Sequence, residues 1–261
     1  MAGRVLSSVE GQLGWILIDH PERRNAISAA MWGALAEAAE KLDADPSVRV
    51  IVLRGAGELA FVSGADISEF ESRRTGGASA QIYEEGTQRA FGALGSVAKP
   101  MIAMIHGFCV GGGMATALAA DLRYCADDAV FAIPAAKLGL GYHAGGIEAL
   151  TALVGPSTAR EIFFTARRYR AEDALRLGLV NAVYPKAELE TRVREIAAQI
   201  AGNAPLTIRS VKRISRELAR RPDQQDHEAI RGSIQRCFDS EDYKEGVRAF
   251  LEKRPPRFVG S

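Results

Sequence analysis

The chain has 261 residues, 47% of them hydrophobic, with 33 Lys plus Arg against 32 Asp plus Glu. That length and apolar fraction support one sizeable core, while a net charge of +1 leaves no global field to gather a nucleic acid or an anionic membrane. The three widely spaced cysteines, Cys109, Cys125 and Cys237, exclude a disulfide framework and read as residues of a reducing compartment. In chain order, Val5 to Val9 and Trp15 to Ile18 flank a polar, glycine-containing turn and predict a hairpin. Because Glu10, Gln12 and Gly14 interrupt this region, neither a leader nor a membrane span is expected, and the chain is placed in the cytoplasm. After Pro21, Ser28 is positioned to cap a helix carrying Met31, Leu35, Ala38 and Leu42 at three- and four-residue steps, which Asp45-Pro46 ends. Val48 to Leu53 and Met101 to Ile105 are apolar strands on either side of a helical stretch near Gln81 to Leu94. Strand, helix and strand at this spacing predict right-handed parallel crossovers.

Two further crossovers are predicted, through Gly113 to Ala120 into Leu122 to Cys125, and through Ile147 to Leu153 and Ala171 to Leu177 into Val180 to Tyr184. Beyond Pro185 the pattern turns helical, over Ala187 to Ala201, Pro205 to Leu218, Gln224 to Phe238 and Asp242 to Leu251. The expected organisation is an α/β core over residues 1–200 and a helical C-terminal region over 201–261. Such helices bury their apolar stripes against the core or against another subunit, so oligomerisation is the physical expectation.

Two backbone motifs stand out. Val110-Gly111-Gly112-Gly113 follows a strand and opens a small-residue helix, where glycines let a ligand approach the backbone and N–H groups at a helix start face outward. A tight, closely packed strand-to-helix turn explains the same residues. Ala60-Phe61-Val62-Ser63-Gly64-Ala65-Asp66-Ile67 leaves a strand and begins helical periodicity at Asp66, a carboxylate that the helix dipole favours there whatever the function. Arg209, Lys212, Arg213, Arg216 and Arg220 share one helical face, read as a solvated face or as a stripe that meets phosphates or a neighbouring subunit. Gly139-x-Gly141-x-x-Ala144 lacks the acidic residue of a dinucleotide site. His20, His106, His143 and His227 are not at metal-ligand spacing, so neither a nicotinamide cofactor nor a metal is expected.

Phe61-x-x-Gly64-Ala65-Asp66-Ile67 together with Gly111-Gly112-Gly113 resembles the paired signature of the enoyl-CoA hydratase/isomerase (crotonase) family. Pro21-Glu22-Arg23-Arg24-Asn25-Ala26, Lys99-Pro100, Ala174-Leu175-x-x-Gly178-Leu179-Val180 and the closing Phe250-Leu251-Glu252-Lys253-Arg254 are similar to further family motifs, so the resemblance spans essentially the whole chain. It implies a crotonase-like spiral of ββα turns with a helical C-terminal part, assembled as a homotrimer or homohexamer. It also implies an acyl-CoA substrate, with CoA present as part of the thioester and no other cofactor. By the same resemblance the N–H groups of Ala65 and Gly112 form an oxyanion hole. Arg24 and Lys253 are candidates for the CoA phosphates, with solvated surface charge as the other reading, and Ala65, Asp66 and Ile67 complete the CoA-binding segment.

The family's hydratases carry one glutamate after the glycine run and another in a Pro-Glu step, where this chain has Ala115 and Ala135. A methyl group transfers no proton, and positioned acid–base groups contribute ~10²- to 10⁴-fold each. The loop Leu138 to Gly146 resembles the methylmalonyl-CoA decarboxylase branch, although that branch has a histidine where this chain has Ala65. Tyr142 and His143 are the candidate polar catalysts, with loop packing as their other reading. The expected function is acyl-CoA enolate chemistry, nominally that of an enoyl-CoA hydratase or isomerase. Decarboxylation or thioester hydrolysis is the enzymatic alternative, and non-catalytic acyl-CoA binding the alternative from another class.

Overall fold

The computed structural model describes residues 2–66 and 77–261. Strands β1 (Arg4–Glu10) and β2 (Leu13–Asp19) pair antiparallel as the predicted hairpin. β3 (Val50–Gly55), β5 (Met101–Ile105), β7 (Leu122–Ala126) and β10 (Ala182–Tyr184) then join β2 in parallel, giving a six-stranded sheet of order β1-β2-β3-β5-β7-β10. Their near-continuous apolar runs follow from burial on both faces, as parallel strands require; Met101 to Ile105 is buried at every position.

A second sheet runs alongside, formed by β4 (Ala60–Val62), β6 (Phe108–Val110), β8 (Val130–Ala132) and β9 (Tyr169–Arg170) in the order β4-β6-β8-β9. Each turn of the spiral places one strand in each sheet before a helix: β3 and β4 precede α2 (Gly77–Ser96), and β5 and β6 precede α3 (Gly112–Leu118). β7 and β8 precede α4 (Ala144–Thr165), which breaks at Gly155, φ 78°, before Pro156. The chain thus has the α/β, ββα-spiral architecture expected of it.

Helix α1 (Ala29–Ala44) packs Met31, Trp32, Leu35 and Leu42 into the central core. Ser28 occupies its N-cap position but makes no side-chain capping bond. The other end is closed by Lys99, which is 2% exposed and donates from Nζ to the carbonyls of Leu42 and Asp45. Asp43 accepts the N–H groups of Ala98 and Lys99, so the Lys-Pro motif is a helix-end clamp that sets the entry of β5. After α5 (Ala171–Arg176), α6 (Leu189–Ala201) covers the outer face of the large sheet with Leu189, Val193, Ala197 and Ala201 at four-residue spacing. Helices α7 (Pro205–Leu218), α8 (His227–Phe238) and α9 (Glu241–Leu251) follow with no strand between them. No helix among the described residues is long and apolar enough to cross a membrane.

Cys109 and Cys125 are buried and unpaired. Burial pushes both thiols upward, that of Cys125 to about 12, so neither is a thiolate nucleophile at neutral pH.

Candidate active site

The two glycine motifs meet because β4 and β6 are parallel neighbours and both end in the same direction. Beyond β4, Ser63-Gly64-Ala65 is held by the loop after β2. Ile27 N–H donates to Gly64 O at 2.9 Å, Asp66 N–H to Ile27 O at 3.0 Å, and Ser63 N–H to Arg24 O at 3.1 Å. That loop is clamped by Asn25, 1% exposed, whose Nδ2 donates to Ala56 O at 3.0 Å and Ala60 O at 2.7 Å. The N–H groups of Ser63 and Asp66, on either side of Gly64-Ala65, are thus engaged. Beyond β6, Gly111 takes φ 55°, a conformation glycine adopts without penalty, and donates its N–H to Ala132 O at 2.8 Å. Gly112 then heads α3, where the N–H has no intrahelical acceptor. Among the described residues, no acceptor receives the N–H of Ala65 or that of Gly112.

The spacing is tight. A Cβ on Gly112 would lie 3.4 Å from Ala65 N and 3.6 Å from the Trp32 ring, whereas one on Gly113 would lie 2.1 Å from Val62 O. Gly113 therefore serves backbone packing, and Gly112 keeps a space open beside two free donors. The close-packing reading of the glycine run holds at Gly113, while the N–H of Gly112 is left without an acceptor among the described residues.

That space opens into a cavity of about 150 Å³. Its walls include Trp32, Phe91, Leu138, Leu140, Tyr142 and His143, and both Ala115 and Ala135 reach it. Among the described lining residues none is acidic or carries a fixed positive charge. Aromatic rings run in series along the wall, Trp32 to Phe91 at 5.4 Å, Phe91 to His143 at 5.3 Å and His143 to Tyr142 at 5.1 Å between centroids, and Phe163 backs Tyr142 at 4.9 Å.

Tyr142 and His143 are presented by the start of α4, where His143 is the N-cap and accepts the Gly146 N–H at Nδ1, 3.1 Å away. This helix begins at Ala144, earlier than the apolar run from Ile147 suggested, because the imidazole cap compensates for Gly145 and Gly146. With Nδ1 accepting, the neutral ring carries its proton on Nε2. Burial of the ring against Tyr142 and Phe91 lowers its pKa, with Glu84 opposing. Tyr142 is pushed well above the ordinary phenol range, first by burial and then by Cys109, so its hydroxyl stays protonated. Its oxygen lies 3.5 Å from Gly111 O, the outer limit of a hydrogen bond, and Gly111 O belongs to the peptide whose N–H is that of Gly112. By peptide dimensions the hydroxyl lies within about 6 Å of Gly112 N.

The lowered His143 pKa has a stability consequence. The unfolded chain takes up the proton first, so this group's contribution is complete above the ordinary histidine value of about 6.5 and is lost as pH falls through the lower folded value. Protonation of Nδ1 also removes the helix cap. Titration followed by histidine NMR is expected to show His143 turning over below a free histidine, with Gly146 N–H shifting in step; a midpoint at or above the free value would contradict this.

Of the other residues singled out in the sequence, Arg24 is exposed beside the Ala65 segment, with its guanidinium 5.0 Å from the Phe108 ring centroid. Lys253 is exposed beyond α9. Neither is among the residues that line the cavity. Asp66 continues the Ala65 segment as coil, and Ile67, with the helix start expected after Asp66, lies outside the described residues. Trp32 and Phe91 escaped sequence reading because their helical periodicity is that of ordinary core positions.

Comparison with known proteins bears on this geometry. Residues 9–261 match the family model described as enoyl-CoA hydratase/isomerase. Carnitinyl-CoA dehydratase of Salmonella paratyphi A is 37% identical over 249 residues, covering 94% of each chain. The structure of an enoyl-CoA hydratase/carnithine racemase from Magnetospirillum magneticum superposes with a TM-score of 0.94 at 34% identity, over 98% of this chain and 96% of that one. An enoyl-CoA hydratase from Bacillus anthracis gives 0.92 at 28% identity, over 98% of this chain and 99% of that one.

Proposed function

The chain belongs to the enoyl-CoA hydratase/isomerase family, and from that premise we propose that it is an acyl-CoA enzyme whose Ala65 and Gly112 N–H groups bind the thioester oxygen and stabilise the enolate. The observation that carries this is the pair of donors without acceptors at the mouth of an apolar cavity, separated by little more than the space a methyl group on Gly112 would fill. Each donor aimed at the developing oxyanion is worth on the order of 3 kcal/mol. Tyr142 delivers the proton that returns the enolate to the thioester. His143 fixes the ring of Tyr142 by stacking at 14° between planes.

A second reading refines the reaction. Tyr142 and His143 both present protons, and the described lining holds no carboxylate to abstract one. Such a site suits an enolate whose electron pair is released by C–C cleavage. A 2-carboxyacyl-CoA would lose CO₂, the pair from the broken bond would form the enolate, and Tyr142 would protonate the α-carbon before regaining its proton from water. This is favoured over the family's nominal hydration. Turnover of short enoyl-CoA and 2-carboxyacyl-CoA esters tests both readings. Tyr142→Phe should lower kcat by roughly 10²-fold with little change in KM. A protein that binds these esters and converts none would be the binding-only alternative, and an unchanged kcat in Tyr142→Phe would remove Tyr142 from the mechanism.

Assembly as a trimer or hexamer is part of the same proposal. Its support is the apolar side chains that α7 and α9 expose, Val211 at 59%, Leu218 at 61%, Phe250 at 83% and Leu251 at 74%, which a neighbouring copy would cover. Light scattering at micromolar concentration should give three or six chains per particle, and a monomer would contradict it.

A further inference from the structure

The basic stripe on α7 is more than a solvated face. Arg209, Lys212, Arg213, Arg216 and Arg220 stand on one side of a groove of about 560 Å³, with Arg236 of α8 opposite and the C-terminal end of α2, at Gly95 and Ser96, at its rim. Six cations thus line a groove in which Glu217 is the acidic residue described.

These cations fall into two sets. Lys212 donates to Asp121 at 2.6 Å and to Lys99 O at 2.7 Å, Arg216 to Val97 O at 2.9 Å and Arg220 to Glu217 at 3.2 Å, so they are committed to the protein. Arg209, Arg213 and Arg236 form no ion pair among the described residues. Arg209 and Arg213 are one helical turn apart on α7, and Arg236 faces them from α8. The floor is polar, with the hydroxyls of Ser210 and Ser233 bonded at 2.7 Å. Like charges gathered in a concavity raise one another's energy: the pKa of Lys212 is lowered first by burial, with Arg216 adding to the effect and Asp121 opposing it. An anion relieves that repulsion, and planar guanidinium forks match phosphate oxygens in bidentate geometry.

We propose that this groove binds an oligophosphate, such as the phosphate chain of a nucleotide or of a CoA molecule other than the substrate, through Arg209, Arg213 and Arg236. A single phosphate would engage one guanidinium fork, whereas three unpaired forks on facing helices suit a chain of two or three phosphates. The groove and the acyl cavity share no lining residue. They sit along the same helix, α2, which contributes Thr87 and Phe91 to the cavity and Gly95 and Ser96 to the groove.

The test is calorimetric titration of the whole protein with inorganic tripolyphosphate, then with ATP and with CoA. Tripolyphosphate is expected to bind, and to weaken steeply as salt rises from 50 to about 200 mM. Arg209→Gln/Arg213→Gln/Arg236→Gln should weaken it by roughly 10²-fold or more, and Arg213→Gln alone by about tenfold. All three side chains are exposed and unpaired among the described residues, so circular dichroism and melting temperature should be unchanged in the variants. Arg24→Gln/Lys253→Gln should leave tripolyphosphate affinity as it is, which separates the groove from the two exposed cations that the family resemblance offers to the CoA phosphates. The binding that the triple variant loses belongs to the groove: a larger loss for ATP assigns it to nucleotides, and a larger loss for CoA assigns it to a second CoA; either supports the proposal. No tripolyphosphate binding at millimolar concentration and low salt, including because a second copy already fills the groove, would overturn it. So would an affinity unchanged in the triple variant.

Discussion

A Gly112→Val protein is expected to fold like the parent and to lose roughly 10²- to 10³-fold or more of its turnover on any acyl-CoA it accepts, the range seen when one oxyanion donor is removed. A Cβ at Gly112 makes only an ordinary contact, 3.4 Å from Ala65 N, so the backbone tolerates it. Its two methyl groups then occupy the space between the donors, and binding falls together with chemistry. The neighbouring glycine gives the control. On Gly113 a Cβ would lie 2.1 Å from Val62 O, backbone that has to move, so Gly113→Ala should destabilise the fold by about 1–3 kcal/mol or more. Melting temperature and kcat/KM, measured for both variants, should therefore separate: stability kept and activity lost at residue 112, stability lost at residue 113. Unchanged acyl-CoA binding by folded Gly112→Val would show that the thioester lies elsewhere.

The second large effect concerns Ala115 and Ala135, which both reach the cavity. If these are the places where the family's hydratases hold their glutamates, hydration of crotonyl-CoA should fall several powers of ten below that of a two-glutamate enzyme. Each acid–base group contributes ~10²- to 10⁴-fold, although paired residues are not additive. Ala115→Glu with Ala135→Glu should raise hydration above the parent, and each single replacement should do less. Two carboxylates placed in an apolar pocket will have raised pKa values and will cost stability, so each variant must first be shown to fold. The readout is loss of enoyl-thioester absorbance at matched enzyme concentration. A parent that hydrates at full rate would mean that Tyr142 and His143 manage the water themselves.

Much of the spiral was readable because parallel strands buried on both faces leave unbroken apolar runs, as at Val50 to Leu53 and Met101 to Ile105. The strands of the second sheet were harder, since β8 has three residues and β9 two, too few to show any period. The glycine run alone fitted close packing as well as a ligand site, and it was the family resemblance that singled out the N–H groups of Ala65 and Gly112; only the structure separates Gly112, beside open space, from Gly113, against Val62 O. Sequence reading placed Tyr142 and His143 in a loop without showing that one ring stacks on the other or that His143 caps α4. The clamps made by Asn25 and Lys99 were visible as motifs and silent as to purpose, since their partners are carbonyls 31 to 57 residues away. The α7 stripe looked like a solvated face because its opposite wall, Arg236 on α8, is fixed by packing and not by the period of α7 alone.

The central claim, that Ala65 and Gly112 hold the thioester oxygen, is tested most directly by a crystal structure of the protein with a non-hydrolysable acyl-CoA analogue. The oxygen that stands for the thioester carbonyl should lie about 2.7–3.2 Å from both nitrogens, with the acyl group beside Tyr142. An oxygen beyond hydrogen-bonding distance of both nitrogens would contradict the account.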